Sequence, residues 1–138
     1  MKPTLHVTNW SSRTLHGPGR KWTIMADPRK WEHGDGWVYG LVPPMEDMQA
    51  ARRGSITLVD YRRLYKNMVH HAASVLAPSV LSAFRPGYVP HYVNDGDTLC
   101  CACSRDAAAR GECHRVWAAE ALVAAGWRVI LDGKELAG

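Results

Sequence analysis

Four cysteines lie within fourteen positions of this chain, at Cys100, Cys101, Cys103 and Cys113, and His114 and Arg115 follow the last of them directly. Thiolates attack electrophiles and bind soft metals, imidazoles ligate metals and exchange protons, and a guanidinium holds anions. Such crowding does not fit a disulfide framework spread over a secreted fold. It points to metal binding or thiol chemistry in a reducing compartment, and so to a cytoplasmic protein. A blander reading stands beside these. Free cysteine is among the most buried residue types and simply fills strands.

The surrounding elements must position these groups. The string TLCCAC, residues 98–103, predicts a strand buried on both faces. Cys113 to Ala125 predicts a helix, Gly126 its C-terminal cap, and WRVIL the strand that follows. Strand, helix and strand make a βαβ unit with parallel strands and a right-handed crossover. Alternation puts Cys101 and Cys103 on one face and Cys100 on the other. Ligands of parallel α/β sheets bind beyond the carboxyl ends of the strands, so Cys101, Cys103, Cys113, His114 and Arg115 are expected to converge there.

Three chemistries compete for that edge. A helix N-terminus favours anions and lowers a thiol pKa to about 3.5–7.5 in favourable sites. On this reading Cys113 is a reactive thiol, His114 its proton partner and Arg115 an anion clamp. Its enzymatic form is glycosyl transfer or hydrolysis of a nucleotide with Cys113 as nucleophile. Asp95, Asp97, Glu32 and Asp35 are then the available acids and bases. The second reading is zinc, held by Cys101, Cys103, Cys113 and His114. The spacing is irregular for zinc, because C-x-C replaces the usual C-x-x-C and helical neighbours seldom reach one ion. The third is a packed structural strand.

A second region carries charge. Arg13, Arg20, Lys21, Arg29 and Lys30 share the stretch 13–30 with one acid, Asp27, and Gly17-Pro18-Gly19 makes a loop within it. We expect this loop to wall an anion site, with Trp10, Ser11, Ser12, Arg13, His16, Gly17, Gly19 and Arg20 as ligand-binding residues. Trp10, Trp22 or Trp37 would stack on a base. Together with Cys101 and Arg115, the expected ligand is a nucleotide or another anionic, phosphate-bearing small molecule. The alternative partner is a nucleic acid or a host protein. The formal charge of +4 and the lack of a DNA-binding motif weigh against a polymer.

The 138 residues suit one domain, residues 1–138. Leu5–Trp10 and residues 22–26 predict strands, and residues 27–37 a long irregular loop. Met45–Arg53 predicts a helix closed by Gly54. A longer helix follows, started by a Thr57–Asp60 capping box and stopped before Pro78. Residues 79–84 predict one more helical turn, and 85–97 turns only. His70 and His71 read as ordinary helix positions. The expected class is α/β: a single compact Rossmann-like domain, mostly parallel, with flanking helices and a C-terminal βαβ unit. No apolar run reaches the ~18 residues of a membrane span, so no membrane partner is expected. No P-loop, G-x-G-x-x-G, G-x-S-x-G or H-E-x-x-H occurs.

The string TLCCAC…GECHRVWAAEAL resembles the C-terminal signature of the bacterial and phage proteins grouped as domain of unknown function family 488. Cys101, Cys113, His114, Arg115, Ala119, Glu120, Ala121 and Leu122 carry the resemblance. Cys101 and Cys103 also resemble the first pair of a related family, numbered 4326, and TLVDYRRLY is a weaker second echo. The resemblance covers about the last forty residues. It implies a Rossmann-like α/β domain, of phage or phage-derived type, that handles nucleotides or nucleic acids. Residues 9–36 depart from the family's usual opening.

Overall fold

The computed structural model describes residues 1–25, 34–103, 107–108 and 110–137. The strands are β1 Thr4–Asn9, β2 Lys21–Thr23, β3 Gly36–Trp37, β4 Ser82–Arg85, β5 Val89–Tyr92, β6 Thr98–Cys101, β7 Arg128–Leu131 and β8 Lys134–Glu135. The helices are α1 Met45–Arg52, α2 Leu58–His71 and α3 His114–Ala124. The strands form one sheet in the order β5-β4-β3-β2-β6-β1-β7-β8. Pairs β3–β2, β2–β6, β6–β1 and β1–β7 are parallel, and antiparallel pairs close both edges. The class is mixed α/β with a mostly parallel sheet.

The C-terminal βαβ unit forms as its sequence requires, with β1 inserted between β6 and β7. Alternation then sorts the side chains. Leu5 and Val7 of β1 align with Val129 and Leu131 of β7, and Val7 and Asn9 align with Leu99 and Cys101 of β6. This odd-numbered face feeds the core that α2 and α3 cover, where Tyr61 and Tyr65 meet Trp117 ring to ring. Tyr65 Oη donates to Leu41 O at 2.6 Å, and Trp127 Nε1 donates to Leu76 O at 2.7 Å, so both large polar rings are satisfied inside. The even-numbered face carries His6, Thr8, Thr98 and Cys100. Residues 10–20 cross it without an α-helix, and Gly17 N donates to Thr98 Oγ1 at 2.8 Å.

These two connections decide where a ligand site belongs. From β1 the chain passes β6 to reach β2, over the even face. From β6 it passes β1 to reach β7, over the odd face. Adjacent parallel strands whose connections leave in opposite directions open a crevice at their carboxyl ends. Here that crevice lies between Asn9 and Cys101.

Several local expectations change. Residues 82–85 are strand β4 rather than a helical turn, and the stretch 85–97 contains β5 as well as turns. Both are held by pairing, Trp37 with Phe84 and Ser82 through Arg85 with Tyr92 through Val89. Pro90 is tolerated because β5 is the last strand of the sheet. The capping box forms as read: Asp60 N donates to Thr57 Oγ1 and Thr57 N to Asp60 Oδ2. Helix α2 stops at His71, before Pro78, and a short 3-10 turn at Ala73–Val75 follows. Of the loop expected over 27–37, residues 27–33 lie outside the described set; these include Asp27, Arg29, Lys30, Trp31 and Glu32. No helix among the described residues is long and apolar enough to cross a membrane.

Candidate functional site

Helix α3 begins with Cys113 as its N-cap, at the carboxyl end of β6. The thiol makes no cap hydrogen bond; it turns to the sheet, where its Sγ lies 3.2 Å from Cys101 Sγ. The ligand atoms of Cys101, Cys103 and Cys113 all lie within 4.8 Å of one another. Cys100 faces the other side of the sheet, 3.9 Å from His16 Nε2. Alternation along β6 separates Cys100 from Cys101, and Cys103 from the bend after β6 and Cys113 from the helix N-cap join Cys101, so the four sulfurs divide three to one.

Arg115 lies beneath this cluster and is completely buried. Its Nη1 donates to Cys101 Sγ at 3.1 Å and to Cys103 O at 2.7 Å. Its Nε and Nη2 donate to Asp132 Oδ2 at 3.3 and 3.1 Å, just after β7. Asp132 Oδ1 in turn accepts from Thr8 Oγ1. Arg115 is therefore no open anion clamp. Its fork is spent on the chain itself, tying β1, β6 and β7 together and presenting a fixed positive charge to the sulfurs.

His114 is likewise engaged. Its Nε2 donates to Ile24 O at 2.6 Å and its ring rests against Tyr65. Burial pushes the imidazole down to about 4, so it is neutral at physiological pH. Among the described residues the convergent donor set is three sulfurs, without His114.

The low-pKa thiol also moves. Thiol hydrogen bonds with Cys101 and Cys103, then burial, push Cys113 well above an ordinary thiol. Hydrogen bonds donated by Cys101 and Cys113 hold Cys103 far below one, helped by the charge of Arg115. The helix N-terminus does not win at Cys113, because that side chain is only 1% exposed. Cys103 is half-buried instead, and it opens on a pocket of about 610 Å³ that Met25, Met48, Tyr61, Arg52, Glu112 and His114 also line. Without bound metal, iodoacetamide should modify Cys103 before Cys100, Cys101 or Cys113, all 1% exposed or less. Peptide mapping by mass spectrometry reads the order. Equal or earlier labelling of Cys113 would return the reactive role to it.

The basic loop occupies a different place. Trp10, Ser11, Arg13, His16, Gly17 and Lys21 line a separate cleft of about 740 Å³, where residues 10–20 cross the even face. Trp10 Nε1 donates to Met25 Sδ at 2.9 Å, so this indole and Met25 stand between cleft and pocket. Ser12 and Gly19 serve the loop itself, through Ser12 N to Asn9 Oδ1 and Gly19 N to Gly96 O. Arg20 pairs with Asp35 at 3.6 Å and does not line the cleft. Lys21 takes the place expected of it. The signal was strand alternation, since Trp22 is core and its neighbour must face the other way. Trp22 itself is fully buried and Trp37 stacks on Tyr39, so neither lines the cleft.

The acids are structural too. Asp97 accepts from Arg20 N, Trp22 Nε1 and Asn94 N, and Asp95 accepts from Thr4 N. Asp35 accepts from Lys21 N. Comparison with protein-family models, curated proteins and solved structures returns no match.

Proposed function

We propose that this chain is a zinc-centred α/β domain in which Cys101, Cys103 and Cys113 hold the ion at the carboxyl edge of the sheet. One observation carries the reading: three sulfurs from a strand end, the turn after it and a helix N-cap meet within 4.8 Å. A Zn–S bond is about 2.3 Å, so sulfurs around one tetrahedral ion stand about 3.8 Å apart. Sulfur donors select zinc over hard cations such as magnesium or calcium. Charge supports it as well. Three thiolates and a divalent ion leave one negative charge, and the buried guanidinium of Arg115 faces it. The crevice between β1 and β6 and the adjoining pocket favour a Rossmann-like use of this edge, with a ligand beside the ion.

Protein purified without chelator should carry one zinc per chain, read by native and elemental mass spectrometry. Metal at a hundredfold over its Kd contributes about 2.7 kcal/mol. Chelation should thus lower the melting temperature by about 10 °C in a chain of this size. Cys103→Ser should lose the metal, whereas Cys100→Ser, on the other face, should keep it. Protein that melts alike with zinc and with chelator would end this reading.

A further inference from the structure

We propose that the even-face cleft between Trp10 and Lys21 is a second site, distinct from the sulfur centre, that binds the phosphate of a small phosphorylated ligand of mononucleotide size. The cleft's volume of about 740 Å³ falls within the usual range for small-molecule sites. Its lining holds the basic side chains of Arg13, His16 and Lys21 and no carboxylate among the described residues.

The chain has arranged these groups without using them up. Lys21 Nζ donates to Gly17 O at 3.0 Å and to Gly19 O at 2.8 Å. An ammonium has three donors, so the third remains for a ligand while the first two hold it in place. Arg13 is exposed and has no carboxylate partner among the described residues. His16 Nε2 donates to Asn9 O at 3.0 Å, which fixes the ring. The Trp10 indole stands edge-on to His16, with ring centroids 6.4 Å apart, and its Nε1 is anchored on Met25. It lines the cleft beside the basic groups and supplies its apolar side.

Gly17 makes this geometry available. A Cβ there would lie 2.4 Å from His6 Cδ2 and 2.4 Å from Gly96 O. Only glycine lets the loop lie so close to the sheet and turn its carbonyl to Lys21. The cleft also begins at the end of β1, where the two crossovers diverge, and lies across the sheet from the metal centre. Its occupancy does not depend on zinc.

The test is titration of the full, metal-loaded chain with AMP, adenosine and inorganic phosphate, by calorimetry and by amide chemical shifts. AMP should saturate and shift the amides of residues 10–21. Phosphate should compete with it, and adenosine should bind far more weakly. Arg13→Ala and Lys21→Met should each weaken AMP about tenfold, with melting temperatures showing that both variants remain folded. Trp10→Leu should weaken AMP but spare phosphate. No saturation by AMP at millimolar concentration, or equal affinity of Arg13→Ala and the parent, overturns the proposal. So does a single-stranded oligonucleotide that binds far more tightly and weakens steeply with salt, which marks a polymer surface.

Discussion

Replacing Arg115 with alanine should destabilise this protein by about 3–5 kcal/mol, the cost of breaking a buried ion pair from one side. The guanidinium is fully buried, and the Asp132 carboxylate it serves is only 20% exposed. Truncation orphans that carboxylate, Cys103 O and the hydrogen bond to Cys101 Sγ together. It also leaves a cavity where the side chain stood. In a chain of this size the melting temperature should fall by about 10–20 °C. Arg115→Lys should recover less than half of the loss. A lysine ammonium cannot fork between a sulfur cluster on one side and a carboxylate on the other. Thermal melts followed by circular dichroism, on metal-free protein, isolate the effect from zinc binding. A fall under 3 °C for the alanine variant would show that Arg115 does not tie the three strands together.

The second large effect should come from Asp97, at the opposite edge of the sheet. Its side chain is buried, with Oδ1 accepting from Arg20 N at 2.9 Å and Oδ2 from Trp22 Nε1 and Asn94 N at 2.9 Å each. Asp97→Ala would leave three donors without partners at a buried position. Each buried orphan costs about 1–3 kcal/mol, so a total near 4 kcal/mol is expected. The urea midpoint should then fall by roughly 2 M at unchanged slope. Asp97→Asn keeps one accepting oxygen and should lose about half as much. A midpoint within 0.5 M of the parent, about 1 kcal/mol or less, would contradict the structural role. It would also reopen Asp97 as a proton-transfer group.

These two residues show how far a sequence carries the reading. Arg115 sits beside a cysteine and a histidine, and the three together read as an anion site with a reactive thiol. The structure does bring Cys101, Cys103, Cys113 and Arg115 together at the expected edge. The sequence reading gave them the wrong partners, because a guanidinium reads the same in sequence whether it faces solvent or another strand. Asp97 similarly reads as a candidate acid, whereas its lone pairs are consumed by a turn and an indole. The β4–β5 hairpin was illegible for another reason. Its strands are short, contain Pro90 and follow no clear alternation, so only their pairing with each other and of Phe84 with Trp37 makes them strands.

By itself the sequence determined what is local. The capping of α2 by Thr57 and Asp60, the start of α3 at Cys113, and the burial of β6 on both faces follow from neighbours within a few positions. So does the division of Cys100 from Cys101, because alternation along a strand is a property of the backbone, whereas Cys103 lies in the bend after β6, which ends two residues short of the strand expected over 98–103. Tertiary structure alone decided the rest. The insertion of β1 between β6 and β7 brings Asp132 under Arg115, and the β2 end brings Ile24 O, 90 positions away, to His114. The packing of α3 against α2 buries Cys113 and leaves Cys103 at the pocket. Burial and long-range hydrogen bonds set the charge state of a thiol and the freedom of a cation, and both depend on which distant segments meet, which no local pattern encodes.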